Sequence, residues 1–200
     1  MAHAFDEEIV FAVAALRHGE IVGYPTETFY GLAVDALDEL ALARLRLLKG
    51  RSEKAISVLV DGPAMLRRLC TKIPPRASAL MLRYWPGPLT IALPARRGVP
   101  AALLSEGCVA VRRSSHPTAQ ALVARFGRPL TATSANLAGQ PPCTTAEAVE
   151  EAFEGRCRVL HGGPTSGGEP STLVRVRGDD RVEILRRGAI DLSAEDLGRS

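Results

Sequence analysis

The chain has 200 residues, 46% of them hydrophobic, and its 25 basic and 22 acidic side chains leave a formal net charge of +3. This composition excludes a mainly disordered chain and a strongly basic nucleic-acid arm, while an anionic ligand or RNA remains compatible with it. No apolar run reaches membrane-spanning length and the first residues are acidic, so we predict a soluble, cytoplasmic protein. The four cysteines form no CxxC pair, which predicts reduced thiols and no metal site built from protein ligands.

Helical and strand-like segments alternate in the first half of the chain. Helices are predicted in four segments: 6–19, where apolar residues recur at helical spacing, 38–51, which is rich in alanine and leucine, and near 62–70 and 75–84. Asp6 and Asp38 are expected to cap the first two of these helices. Gly19 and the sequence Lys49-Gly50-Arg51 are expected to end them. Short apolar runs at 20–24 and 56–60 predict strands between the helices.

The second half begins with the turn-forming segment WPGPLT and is richer in strands. Strands are predicted in TIAL, in CVAVR, in PLTATSAN, at 158–160 and in a C-terminal hairpin. His116-Pro117 is expected to cap a helix that runs to about Phe126. From this order we predict an α/β fold in one domain over residues 1–200, with its motif-bearing core at about 8–190. Helices should flank a twisted sheet of mixed parallel and antiparallel strands.

Five polar or glycine-bearing segments lie where predicted strands or helices end: PTETFYGL, KGRSEK, AVRRSSHP, TSANLAGQPP and GGPTSGGEPSTL. Ligands bind where the strands of open α/β sheets run out into loops, so these segments predict a binding cleft. Each segment alone is also compatible with a structural role. Thr26 and Thr28 could satisfy the local backbone, and the cations near Lys49 could match the dipole of a helix C-terminus.

Several segments together resemble the YrdC/Sua5/TsaC family of threonylcarbamoyl-AMP synthases, in its short, single-domain bacterial form. The resemblance is carried, in the family's order, by PTETFYGLAVDAL, WPGPLT, AVR...HP, TSANLAG and PSTLV...ILRRGAI. It implies a YrdC-like domain with an open concave cleft. It further implies that L-threonine and bicarbonate form a carbamate, which attacks the α-phosphate of ATP and releases pyrophosphate. The threonylcarbamoyl-AMP product would pass to a separate transferase complex that makes t6A37 in tRNA.

The resemblance also implies roles for individual residues of this chain. L-threonine would be contacted by Thr28, Tyr30, Arg112, Ala132 and Ser171. ATP would be contacted by Lys49, Arg51, Lys54, Cys108, Ser134, Asn136 and Arg186. Arg112 would bind the threonine carboxylate, and Lys49 and Arg51 would position ATP and neutralise its charge without acid–base catalysis.

The same resemblance implies ATP as a substrate accompanied by Mg²⁺, which phosphates and water would hold, and it implies no protein-bound metal. RNA or tRNA binding stays open, and no membrane partner is expected. Strand alternation allows only one of Arg186 and Arg187 to face the site, and the family pattern aligns Arg186. His116 is expected to act as a helix cap rather than as a base.

The ATP side of the chain departs from the family pattern. The segment after Arg51 lacks two customary prolines, Lys54 takes the place of the usual nucleotide contact, and Cys108 stands where a threonine is usual. Two alternatives therefore stay open. One is a YrdC-like paralogue that binds RNA or a ribosomal element without synthase activity. The other is an enzyme that makes a carbamoyl-adenylate for a different acceptor.

Overall fold

The computed structural model describes residues 2–50, 54–178 and 180–198. The α-helices in these ranges are α1 (Ala2–Arg17), α2 (Glu39–Lys49), α3 (Pro63–Leu69), α4 (Pro75–Tyr84), α5 (Pro117–Phe126) and α6 (Ala146–Phe153). The strands are β1 (Val22–Pro25), β2 (Tyr30–Ala33), β3 (Val58–Leu59), β4 (Leu89–Pro94), β5 (Leu104–Ser105), β6 (Cys108–Arg112), β7 (Leu130–Thr131), β8 (Thr133–Ser134), β9 (Arg158–Val159), β10 (Thr172–Val176) and β11 (Val182–Arg186). None of the described helices is long and apolar enough to cross a membrane.

Residues next to the helix determine both ends of α2. The Asp38 carboxylate accepts hydrogen bonds from the Leu40 and Ala41 amides at 2.9 and 3.1 Å, which satisfies two N-terminal donors of the helix. Gly50 closes the helix in the left-handed conformation, with a φ of 62°. Both ends confirm the prediction. The start of α1 was placed wrongly, because the helix begins at Ala2 and Asp6 lies inside it.

His116 caps α5, as the sequence predicts. Its Nδ1 accepts a hydrogen bond from the Thr118 amide at 3.2 Å, and Pro117 occupies the first helical position. Burial lowers the pKa of His116, although the nearby Glu27 carboxylate opposes this shift. A lowered pKa favours the neutral ring, whose Nδ1 can accept the bond that caps the helix.

The strands are divided between two sheets. The smaller has the order β8-β2-β1-β9, and the larger has the order β11-β10-β4-β6-β3-β7 with β5 paired to β6. Antiparallel pairs such as β1 with β2 and β4 with β6 occur beside parallel pairs such as β4 with β10. The mixed α/β fold class is confirmed. The division into two sheets and the strand β2 are absent from the sequence-based prediction.

Thr131, which is fully buried in β7, joins the two sheets. Its hydroxyl donates to the Leu32 carbonyl and accepts from the Val34 amide, both at 2.9 Å. The Tyr24 hydroxyl of β1 donates to the Thr131 carbonyl at 3.0 Å. Burial raises the pKa of Tyr24. These bonds hold the small sheet against the large one. Farther along the boundary between the sheets lies a cavity.

Candidate active site

A cavity of about 210 Å³ lies between the two sheets. Its wall includes residues of the β1–β2 hairpin, the segment 54–57 before β3, and the β7–β8 connection. The cations Lys54, Arg112 and Arg186 line it, and none of the described lining residues is acidic. Converging positive charge in a partly enclosed space suits an anionic ligand.

The topology of the larger sheet explains why residues far apart in sequence meet here. β4 and β10 run parallel, and each has an antiparallel neighbour, β6 and β11 respectively. The beginnings of β4 and β10 therefore lie at the same edge as the ends of β6 and β11. This edge brings together Thr90, Arg112, Ser171 and Arg186, all of which line the cavity.

The two threonines of the β1–β2 hairpin differ in what their hydroxyls do. The Thr26 hydroxyl donates to the Phe29 carbonyl at 2.7 Å and accepts from the Thr28 amide at 3.3 Å, so it holds the turn together. The Thr28 hydroxyl lies 3.3 Å from the Thr26 hydroxyl, its one hydrogen-bond contact among the described residues. Both threonines border the cavity. Thr26 therefore has the structural role, and Thr28 keeps hydrogen-bonding capacity for a ligand.

Tyr30 lines the cavity and forms hydrogen bonds with the segment 161–170, called here the glycine loop. Its hydroxyl donates to the Gly163 carbonyl at 2.9 Å and accepts from the Gly162 amide at 3.4 Å. A side chain at position 162 would approach Pro25 to 2.5 Å, so only glycine lets the loop lie this close. Burial raises the pKa of Tyr30. The hydroxyl of Tyr30 thus supports the wall, while its ring forms part of it.

Arg112 ends β6 and is only 7% exposed. Its Nε lies 3.8 Å from Oε1 of Glu27, and neither atom has a hydrogen-bond partner among the described residues. The other oxygen of Glu27, Oε2, accepts a short hydrogen bond from the Ser114 hydroxyl. Sequence reasoning assigned no role to Glu27, although it is the only acid in the PTETFYGL motif.

Arg186, not Arg187, lines the cavity in the described structure. Its Nε and Nη2 donate to the Ser171 carbonyl at 3.2 and 2.7 Å, and Nη2 also contacts the Ser171 hydroxyl at 3.0 Å. That hydroxyl lies 2.8 Å from the Thr90 hydroxyl. Desolvation lowers the pKa of Arg186, and the positive charge of Arg112 adds to this effect.

Lys49 is 3% exposed and lies behind the cavity wall. Its Nζ donates to the Ser134 carbonyl through a short hydrogen bond and to Oδ1 of Asn136 at 3.4 Å. The Ser134 hydroxyl donates to the same Oδ1 at 2.6 Å, and Asn136 Nδ2 donates to the Gln140 carbonyl at 2.8 Å. We call Lys49, Ser134 and Asn136 the Lys49 cluster. Only Ser134 of this cluster lines the cavity, and Lys49 borders a hollow of about 30 Å³ beside Lys54.

The remaining residues implied by the resemblance fall in three places. Ala132 lines the cavity, and its amide donates to the Ser57 carbonyl at 2.7 Å. Cys108 begins β6, four residues or about 13 Å before Arg112, and is not part of the described cavity wall. Arg51 lies outside the described residues. The described residues contain no group of three or more His, Cys, Asp and Glu side chains that could hold a metal ion.

Fold and site together define a mixed α/β protein with a cationic, hydroxyl-lined cavity between two sheets. The Sua5/YciO/YrdC family model, whose description reads "Telomere recombination", matches residues 14–188. The chain therefore belongs to the Sua5/YciO/YrdC family.

Individual relatives agree with this membership. A Bacillus subtilis protein named threonylcarbamoyl-AMP synthase is 39% identical over 189 residues, covering 92% of this chain and 54% of that protein. A Vibrio cholerae protein of the same name is 38% identical over 190 residues, covering 92% of this chain and 100% of that protein. The crystal structure of Pyrococcus abyssi Sua5 complexed with L-threonine superposes with a TM-score of 0.88 at 36% identity, covering 96% of this chain and 57% of that one. The chain thus spans about half of the Bacillus and Pyrococcus proteins.

Proposed function

We propose that this protein is an L-threonylcarbamoyladenylate synthase. As a nucleotidyltransferase it would form threonylcarbamoyl-AMP and pyrophosphate from L-threonine, bicarbonate and ATP, for the t6A modification of tRNA. One observation carries the proposal: a buried arginine and several hydroxyl-bearing residues line one cavity between the two sheets, in a chain whose relatives bear this enzyme's name.

L-threonine would bind to the side of the cavity that we call the threonine wall: Thr28, Tyr30, Arg112, Ala132 and Ser171. The planar guanidinium of Arg112 can bind a carboxylate through two nitrogens. Thr28 and Ser171 offer hydroxyls that can meet the hydroxyl of the substrate. The enclosed space would also limit the access of water to the carbamate formed from bicarbonate.

ATP would bind toward Lys54 and Arg186, the two other cations of the cavity wall. Adenylyl transfer depends mainly on positioning and on neutralising phosphate charge, and both residues can supply this. The described wall offers no carboxylate, so Mg²⁺ would be held by the phosphates of ATP and by water. Mg²⁺ bound in this way screens negative charge on the triphosphate.

We further propose that one YrdC-like domain carries the whole site. Buried apolar residues of both sheets belong to one hydrophobic core, and both sheets contribute to one cavity. The product would pass, in the cytoplasm, to a separate transferase complex that acts on tRNA.

Pyrophosphate release from ATP tests the proposal. We expect the purified protein to release pyrophosphate only when L-threonine and bicarbonate are both present, and mass spectrometry should identify threonylcarbamoyl-AMP. There are three control reactions: one without threonine, one without bicarbonate, and one in which carbamoyl phosphate replaces both. Release that needs carbamoyl phosphate instead would support the enzyme with another acceptor. No release from folded protein, together with salt-sensitive RNA binding, would support the RNA-binding paralogue.

A further inference from the structure

Glu27 lies behind the threonine wall and does not line the cavity in the described structure. Its side chain is 14% exposed, and that of Arg112 is 8% exposed, so their ion pair is largely removed from water. A buried guanidinium with no counter-charge is costly, because desolvation is then uncompensated. Glu27 is the only carboxylate found within ion-pair distance of Arg112 among the described residues.

A second set of contacts fixes Glu27 itself. The Ser114 hydroxyl donates to Glu27 and accepts a hydrogen bond from the His116 amide at 3.1 Å. The Ser114 carbonyl accepts from Nε2 of Gln120 at 3.0 Å. Ser114 is 3% exposed, and these bonds attach it to the first turns of α5. The carboxylate is therefore anchored to a helix on one side and faces Arg112 on the other.

The geometry of the pair leaves part of the guanidinium available for a second anion. Glu27 approaches Arg112 from the Nε side, at 3.8 Å. An arginine has five N–H donors in a planar fork, so engagement on the Nε side leaves the two terminal nitrogens for a second carboxylate. Arg112 also lines the cavity. Its rotation about the side-chain axis decides whether those nitrogens face a ligand.

We propose that Glu27 is a positioning residue, which orients Arg112 for the carboxylate of the amino-acid substrate through a relay from α5 by way of Ser114. The inference rests on the proposed function, since it takes Arg112 to be the carboxylate-binding group. Glu27 acts only through Arg112 and does not touch the substrate.

The variant Glu27→Asp tests the role directly. Aspartate keeps the negative charge, so the repulsion between this carboxylate and the substrate stays, but its shorter side chain cannot span the gap between Ser114 and Arg112. We expect the KM for threonine, and the Kd from calorimetry, to rise roughly tenfold, while kcat and the KM for ATP stay near their wild-type values. Glu20→Asp, at an exposed position just before β1, is the matched control and should change none of these values.

A double-mutant cycle separates positioning from general stabilisation. In an Arg112→Lys background, Glu27→Asp should have no further effect on threonine binding, because the group it orients is gone. Ser114→Ala should weaken threonine binding in the same direction by roughly threefold, and it remains informative if Glu27→Asp fails to fold.

Distinct outcomes overturn distinct claims. The positioning role alone would be overturned if Glu27→Asp lost equal affinity for threonine and for ATP. It would also be overturned if Glu27→Asp still weakened threonine binding in the Arg112→Lys background. An unchanged KM for threonine in both Glu27→Asp and Ser114→Ala would do the same. If the wild-type protein binds no threonine, the proposed function and this inference are overturned together.

Discussion

Arg112 and Lys49 are both cations buried to more than nine-tenths, yet their surroundings differ. Arg112 lines the cavity and faces one carboxylate without a hydrogen bond at Nε. Lys49 lies behind the wall and donates to the Ser134 carbonyl and to Asn136. The threonine wall therefore keeps hydrogen-bonding capacity for a ligand, while the Lys49 cluster uses its capacity within the protein. Two cations of similar burial thus differ in whether hydrogen bonds within the protein engage them.

The largest expected effect is on the threonine wall. Arg112→Ala should weaken threonine binding about tenfold to a hundredfold, because losing a charge-assisted contact costs on the order of 1.5–3 kcal/mol. ATP binding should stay nearly unchanged. Calorimetric titration with each ligand measures both values. Arg113→Ala is the control, since Arg113 borders a separate hollow with Asp61 and Gln120. Equal losses of affinity for threonine and for ATP would contradict this division of the cavity, because Arg112 would then contribute to binding both ligands.

Lys49→Ala should act first on stability. Removing Nζ leaves the part-buried Ser134 carbonyl and the buried Asn136 without this donor, which lowers the free energy of unfolding by about 1–3 kcal/mol. The KM for ATP should rise as the Lys49 cluster loosens, and threonine binding should change little. Urea unfolding and steady-state kinetics measure these effects. Lys54→Ala, at an exposed position of the cavity wall, should raise the KM for ATP without lowering stability. A Lys49→Ala protein of wild-type stability would contradict the cohesive role.

A smaller effect is expected from Tyr30 at alkaline pH. Burial raises the pKa of Tyr30 in the folded protein above the ordinary tyrosine value of about 10. Above pH 10 the folded state therefore keeps a proton that the unfolded state loses, and the free energy of unfolding falls as pH rises toward the folded pKa. The contribution of Tyr30 is fully present below pH 10. Urea unfolding of wild type and of Tyr30→Phe at several pH values measures it as the difference between the two curves. Parallel curves would show that Tyr30 contributes nothing to the pH dependence.

Tyr30→Phe also removes the hydroxyl that holds the glycine loop against the threonine wall. One such hydrogen bond contributes about 0.5–1.5 kcal/mol, so threonine binding should weaken only a few-fold at neutral pH. A loss as large as that of Arg112→Ala would contradict this ranking and show that the Tyr30 hydroxyl matters as much as Arg112 for threonine binding.

Local chemistry explains which helix ends could be predicted. Asp38, Gly50 and His116 act within one turn of their own helices, so the sequence around each is sufficient. Asp6 was misleading because a capping residue contributes only about 1 kcal/mol. The preceding alanines continue the helix, and α1 begins at Ala2.

Strand β2 shows the limit of pattern reasoning. Tyr30, Gly31, Leu32 and Ala33 are all buried, so the segment has no alternation of polar and apolar residues that would mark a half-exposed strand. Its pairing with β1 is a local hairpin, but its pairing with β8 depends on residues about a hundred positions away. The division of strands between two sheets follows from such pairings.

The sequence by itself determined the family, the α/β class, both ends of α2, the cap of α5 and the residue types of the threonine wall, because these depend on short motifs and on chemistry that each residue carries. Only the tertiary structure decided which of these side chains reach the cavity. In the folded protein, Arg186 lines the cavity and Lys49 donates hydrogen bonds within the protein. Cys108 lies outside the described cavity wall, and Glu27 lies beside Arg112. The physical reason is that the direction and burial of a side chain arise from strand pairing and packing across the whole chain, which no single segment specifies.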